Sequence, residues 1–133
     1  MVFQSSNRVS SWPVCVLVAG TIPAGIIAAA GSWALANHVE RLADDHSNAR
    51  QFAKRISKIS GVQLVNEDVQ TNLIFFNVSG SQLSAQDISA RLREQGVWIG
   101  AIDSERMRAV THLDISRDDV NEAADRLADV ISA

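Results

Sequence analysis

The sequence predicts an α+β fold, with helices leading into a small antiparallel sheet that carries further helices on one face. Three observations predict it. A stripe of helical period runs through residues 35–56, four short β-branched or aromatic stretches follow, and two Ser-x-x-Asp signals precede apolar runs of helical spacing. With 133 residues, 47% of them apolar and 20% charged, the chain accommodates one core and not two full domains.

The first element is set by an uncharged run. No residue from 9 to 37 carries a charge, and the stretch PVCVLVAGTIPAGIIAAAGSWALA within it exceeds the ~20 residues a bilayer-spanning helix needs. Arg8 ahead of it, with Trp12 and Trp33 at interfacial positions, fits a membrane anchor. Against that stands the content of small residues, including Gly20, Gly25, Ala28, Ala29, Ala30 and Gly31, which suits a helix packed on protein.

Leu35, Val39, Leu42, His46, Ala49, Ala53 and Ile56 then recur at alternating steps of four and three. They form one stripe of a long helix, or of two helices meeting near Asn37, and Gly61 is expected to supply the stop. Residues 62–65 and 73–78 read as strands around a turn at Asn66, Glu67 and Asp68. Ser84 and Asp87 open a helix with Ile88 and Leu92 on its inner face, and Gly96 closes it. Residues 97–102 and 107–113 form two more strands, separated by the charged turn Asp103, Ser104, Glu105, Arg106. Ser116 and Asp119 cap a last helix whose stripe is Val120, Ala124, Leu127 and Ile131. The resulting order is β-β-α-β-β-α.

Several function classes fall away. The formal charge is −3 and the basic residues are dispersed, so no nucleic-acid partner is expected. Cys15 stands alone among Val14, Val16 and Leu17, which leaves neither a disulfide nor a Cys-based metal site and makes cytoplasm the default compartment. There is no Gly-rich phosphate loop, no G-x-S-x-G and no H-E-x-x-H. His38, His46 and His112 are far apart, and His46 falls on the apolar stripe as a packing residue.

The strand 107–113 is the most informative segment. Its period of two places Arg108, Val110 and His112 on one face and Met107, Ala109, Thr111 and Leu113 on the other. An arginine projecting from a mostly apolar strand can clamp a carboxylate through two parallel hydrogen bonds. It can equally be an edge-strand residue paired with Asp103, Glu105 or Asp114, and the residues alone leave both readings open.

Four segments, AGIIAAAGSWALANHVERLADDHSNARQFAKRI, VQTNLIFFNV, LREQGVWIGAID and MRAVTHLDISRDDV, stand in this order between residues 24 and 120. Together they resemble the C-terminal portion of the low-specificity L-threonine aldolases. That resemblance implies the small C-terminal domain of a type I pyridoxal-phosphate (PLP) enzyme, which cleaves L-threonine or L-allo-threonine to glycine and acetaldehyde. It implies that Arg108, in R-A-V-T-H-L-D, binds the substrate carboxylate. Homo-oligomeric assembly is implied as well. The family's cofactor lysine, in a Ser-Lys segment, and the histidine that stacks on the cofactor would precede Met1.

At the family's Met-Arg-Gln stand Thr21, Ile22 and Pro23, so Ile22 replaces the arginine that approaches the cofactor phosphate. Residues 9–20 resemble no segment of the family. The expected division is therefore 1–23, a remnant or altered piece of the large domain; 24–59, the interdomain helix region; and 60–133, the small α+β domain. An inactive C-terminal fragment is the leading expectation. A non-catalytic amino-acid-binding or subunit-interaction module and a membrane-anchored domain are the alternatives, and the match of the Ala-rich half to a family helix argues against a membrane.

Overall fold

The computed structural model describes residues 12–132, with side chains described for 24–132. The chain divides after Glu40 into two units. The first contains α1 (Trp12–His38). Its described side chains are mostly exposed, Ile26, Ile27, Trp33 and Leu35 among them, and the Trp33 and His38 rings meet edge to face at 5.0 Å. Among the described residues no helix is long and apolar enough to cross a membrane. The uncharged run from residue 9 extends outside the described side chains, as do Cys15 and Ile22.

The second unit, from Arg41, contains α2 (Leu42–Ile56), β1 (Gln63–Leu64), β2 (Leu73–Asn77), α3 (Ala85–Glu94), β3 (Gly100–Ala101), β4 (Arg106–Val110) and α4 (Arg117–Ser132). The β-β-α-β-β-α order is the expected one. The strands are shorter than their β-prone stretches because only the paired residues form ladders. All neighbours are antiparallel, in the order β1-β2-β4-β3, so the two longest strands lie at the centre.

Alternation assigns the faces. Ile74 and Phe76 of β2 and Met107 and Ala109 of β4 are buried with Phe52, Ile88, Leu92, Val120 and Leu127 from the helices. The Phe52 and Phe76 rings pack edge to face, 6.4 Å between centroids. Each such burial contributes about 1.5–3 kcal/mol, and the shared core places α2, α3 and α4 on one side of the sheet. A polar seam joins α2 to α4: Gln51 Nε2 donates to Asn121 Oδ1 at 2.6 Å, Asn48 Nδ2 donates to the Ile115 carbonyl at 2.9 Å, and Arg55 pairs with Asp125.

Two expectations require correction. The stripe through residues 35–56 is buried only from Ala49 onward, and Leu35, Val39 and Leu42 are exposed. The helix breaks at residues 39–41, close to the Asn37 junction that the two-helix reading allowed, and the stripe spans both helices. Gly61 does not cap α2, which ends at Ile56 with Ser57 as its cap. Its φ of +88° instead serves a close backbone crossing, because a Cβ on Gly80 would lie 2.4 Å from the Gly61 Cα.

The other ends follow local chemistry. The Val97 amide donates to the Leu92 carbonyl at 2.9 Å and the Gly96 amide to that of Arg93 at 3.0 Å, with Gly96 at φ +83°, a Schellman end to α3. Ser84 Oγ accepts from the Asp87 amide at 3.2 Å. At α4 the box is reciprocal: Ser116 Oγ accepts from the Asp119 amide at 3.2 Å, and the Asp119 carboxylate accepts from the Ser116 amide at 2.8 Å.

Two predictions follow from these contacts. Gly80→Ala forces backbone against backbone and is expected to cost about 2–3 kcal/mol, read from the urea midpoint. The Ser116 hydroxyl and then the Ser116 amide hold the Asp119 carboxyl below its ordinary pKa. A depressed carboxylate stabilises the fold above its unfolded pKa, and this contribution is lost as pH falls through the folded value. Asp119→Ala should therefore lower stability at neutral pH and flatten the acid limb of its pH dependence. An unchanged acid limb would contradict the cap.

Candidate functional site

The sheet face turned away from the helices carries the residues left over from core formation. On β4 these are Arg106, Arg108 and Val110, all exposed; on β2 they are Leu73, Phe75 and Asn77. The register pairs Phe75 with Arg108 and Arg108 with Gly100. The Val65 amide donates to the Phe75 carbonyl at 2.9 Å, which extends the row outward past β1. Arg108 thus sits in the central row of an open, largely apolar face, between an aromatic residue and a glycine.

That position has chemical consequences. Directly opposed residues on one face have Cβ atoms about 4.5–5.5 Å apart, so the Arg108 stem lies alongside Phe75. Gly100 presents no side chain on the other flank. A Cβ there would meet only the Arg108 carbonyl, at 3.9 Å, so a side chain would fit and would cover ground that is now open. Trp98 and Ile102 share the parity of Gly100 and are exposed at 76% and 50%. The Arg93 guanidinium lies 4.4 Å from the centre of the Trp98 ring, a cation–π contact at the rim.

No carboxylate among the described residues lies within ion-pair distance of Arg108. The structural partners that the sequence allowed are engaged elsewhere or stand apart. Asp103 accepts from the Glu105 amide at 2.9 Å and the Arg106 amide at 2.8 Å, and those two bonds lower its pKa. Asp114 lies 3.7 Å from His112 Nδ1. A guanidinium is planar, permanently charged and able to donate to two oxygens of one carboxylate at once.

The remaining candidates scatter. His112 lies beyond the end of β4, exposed, because the strand stops at Val110 and does not reach residue 113. His46 is half-buried on α2, whereas the Nδ1 of His38, at the end of α1, is buried with no hydrogen-bond partner. Among the described residues no three His, Cys, Asp or Glu side chains gather as metal ligands.

Arg108 lines none of three neighbouring concavities. One of about 630 Å³ is bounded by Val65, Asp68, Leu73 and Phe75, another of about 460 Å³ by Trp98, Val110, His112, Ile115 and Val120, and a third of about 640 Å³ by Gln86, Arg93 and Gly100. The first is rimmed by Glu67 and Asp68, which repel anions.

A four-stranded antiparallel sheet with helices on one face is a fold shared with PLP enzymes of fold type I. A mutant of the lyase C-DES, solved with glycine covalently linked to its PLP cofactor, is 25% identical, with a TM-score of 0.62 over 68% of this chain and 24% of that one. The 8-amino-7-oxononanoate synthase of Francisella tularensis, 15% identical, shares the fold with a TM-score of 0.56 over 72% of this chain and 29% of its own. The model of the beta-eliminating lyase family matches residues 10–79, and the chain belongs to that family.

Among curated relatives, the low specificity L-threonine aldolase of Escherichia coli K12 is 37% identical over 105 residues, 79% of this chain and 29% of the relative. Low-specificity L-threonine aldolase 1 of Arabidopsis thaliana is 32% identical over 98 residues, 73% of this chain and 27% of the relative. The chain therefore spans less than a third of the length of the curated relatives it matches. The family match begins at residue 10, so it includes the 10–20 stretch that resembled nothing in the family; it ends before Arg108.

The described residues do not fit a PLP-holding site. Lys54 and Lys58 are the only lysines of the chain; both are exposed, on α2 and in the turn after it, which belong to the helical layer on the side of the sheet away from Arg108. No amine of the described residues reaches the open face to hold a carbonyl cofactor.

Sequence reasoning passed over three features of the site. Phe75 and Gly100 become partners of Arg108 only through strand order, which no local signal carries. Trp98 was legible, since Trp98, Gly100 and Ile102 alternate with the inward Val97, Ile99 and Ala101. If Arg108 has no structural duty, Arg108→Ala should change stability by less than ~0.5 kcal/mol in urea unfolding, while neighbouring Met107→Ala, fully buried, should cost about 2–5 kcal/mol.

Proposed function

We propose that this chain carries the carboxylate-binding wall of a threonine aldolase-type lyase site, with Arg108 orienting an amino-acid substrate through its carboxylate. The arginine in the central row of the open sheet face, with no ion-pair partner among the described residues and flanked by Phe75 and Gly100, is the observation that carries the reading. The relatives' names supply L-threonine as the substrate, and the family resemblance implies L-allo-threonine as well, with glycine and acetaldehyde as the products. The cofactor of such a site is PLP, which supplies the electron sink for the carbon–carbon cleavage.

The contribution of this chain is binding and orientation. The Arg108 guanidinium donates two parallel hydrogen bonds to the two carboxylate oxygens and fixes the plane in which the substrate lies. The apolar surround of Phe75, Val110 and Leu73 lowers the local dielectric once the opposite wall is in place, which strengthens that ion pair. Proton transfer and cofactor attachment fall to groups outside 41–132, and the chain alone is expected to be inactive. Residues 1–23 then correspond to large-domain sequence, 24–59 to the interdomain helix and 60–133 to the substrate-facing domain, in a cytoplasmic homo-oligomer.

A chimera tests this. Residues 24–133 replace the matching C-terminal segment of the Escherichia coli aldolase, and retro-aldol cleavage of L-threonine is assayed. Activity is expected with Arg108 in place. Arg108→Ala should lower kcat/KM by about 10²–10³-fold, as expected when one partner of a desolvated charge pair is removed. A folded chimera with equal activity in both forms would overturn the assignment.

A further inference from the structure

The core of the second unit contains only two buried polar or charged residues among those described, Asp45 and Thr111, exposed at 3% and 4%. They are bonded to each other: Thr111 Oγ1 donates to the Asp45 carbonyl at 2.7 Å. Thr111 lies on the inward face of the strand direction that carries Arg108, three residues beyond it, where β4 has left its ladder. Its backbone is held as well. The Thr111 amide donates to the Asn72 carbonyl at 3.0 Å, and Asn72 Nδ2 donates to the Thr111 carbonyl at 2.8 Å. Asp45 is fixed in turn by Arg41, whose Nη2 stands 2.7 Å from Asp45 Oδ1.

Three of these bonds converge on Thr111. A valine would fill the Thr111 position nearly isosterically, and a buried hydroxyl stabilises little beyond what an apolar methyl provides unless its bond selects an arrangement. The arrangement selected here is register. Asn72 opposite Thr111 continues the pairing Leu73–Val110, Ile74–Ala109 and Phe75–Arg108. A slip of one residue would turn Arg108 into the core and Met107 out of it.

We propose that Thr111, clamped between the first turn of α2 and Asn72, is the positioning residue that holds Arg108 on the open face in a single orientation toward an anionic ligand. Part of this rests on the reading of Arg108 as a carboxylate binder. The hydroxyl's role is distinct from core filling: it ties the residue after β4 to α2 by a hydrogen bond, beside the apolar core that α2 and the sheet share. Asn72 closes the clamp from the β2 side.

The test uses the full chain, labelled with ¹⁵N, and follows the Arg108 Nε–Hε resonance during titration with L-threonine, with L-threoninol as the probe lacking a carboxylate. Wild type should shift with L-threonine alone. Thr111→Val should weaken that response by about tenfold in apparent Kd, the scale on which small misplacements act, whereas Thr111→Ser, which keeps the hydroxyl, should restore it to within about twofold. If Thr111→Val fails to fold, Asn72→Ala, which removes the clamp's other side chain from a partly exposed site, is read the same way. Wild-type response with unchanged Kd in folded Thr111→Val, or failure of Thr111→Ser to rescue, would overturn the positioning role while leaving the Arg108 reading intact. No wild-type response would overturn the carboxylate reading and the positioning role with it.

Discussion

The pairing of β2 with β4 is the constraint on which the rest of the second unit depends. Five residue pairs, from Leu73–Val110 to Asn77–Arg106, fix which side chains of each strand turn toward the helices. With that register, Ile74, Phe76, Met107 and Ala109 close the core against α2, α3 and α4, and every leftover side chain lies on the other face. Because a strand has a period of two, no intermediate arrangement exists between this one and its inverse. Burying Met107 and exposing Arg108 are one event.

This coupling explains why the candidate site was legible in the sequence although its surroundings were not. The alternation of Met107, Arg108, Ala109, Val110 identifies an outward arginine without knowledge of any neighbour. The caps at Ser84 and Ser116 and the Schellman end at Gly96 were equally readable, since each is a matter of a few adjacent residues. What the sequence could not supply was distance: Phe75 and Gly100 come to flank Arg108 through a strand order, β1-β2-β4-β3, in which the third and fourth strands exchange places. The same limit accounts for the stripe read across residues 35–56. Periodicity assumes a continuous helix, and the turn at 39–41 interrupts it. Gly61 misled for a related reason, because its partner, Gly80, is nineteen residues away on the far side of β2.

Family membership and site chemistry point in compatible directions but concern different parts of a whole. The family match covers residues 10–79, whereas the arginine lies on a strand beyond it; the relatives extend over more than three times the length matched here. The described residues offer an exposed arginine on an open sheet face and no amine to hold a carbonyl cofactor. Such a division is reasonable physically. A carboxylate clamp must be rigid and partly desolvated, which a sheet provides, while a covalent cofactor requires its own lysine and a phosphate-binding loop.

The central claim is that the β4 register leaves the Arg108 guanidinium uncovered and available to a carboxylate. Arginine-specific labelling of the folded chain with phenylglyoxal, located by peptide mass spectrometry, tests it most directly. Rapid modification of Arg108, slowed by L-threonine and not by L-threoninol, is the result the account predicts. A folded chain in which Arg108 resists the reagent, or is modified equally fast with and without L-threonine, would contradict it.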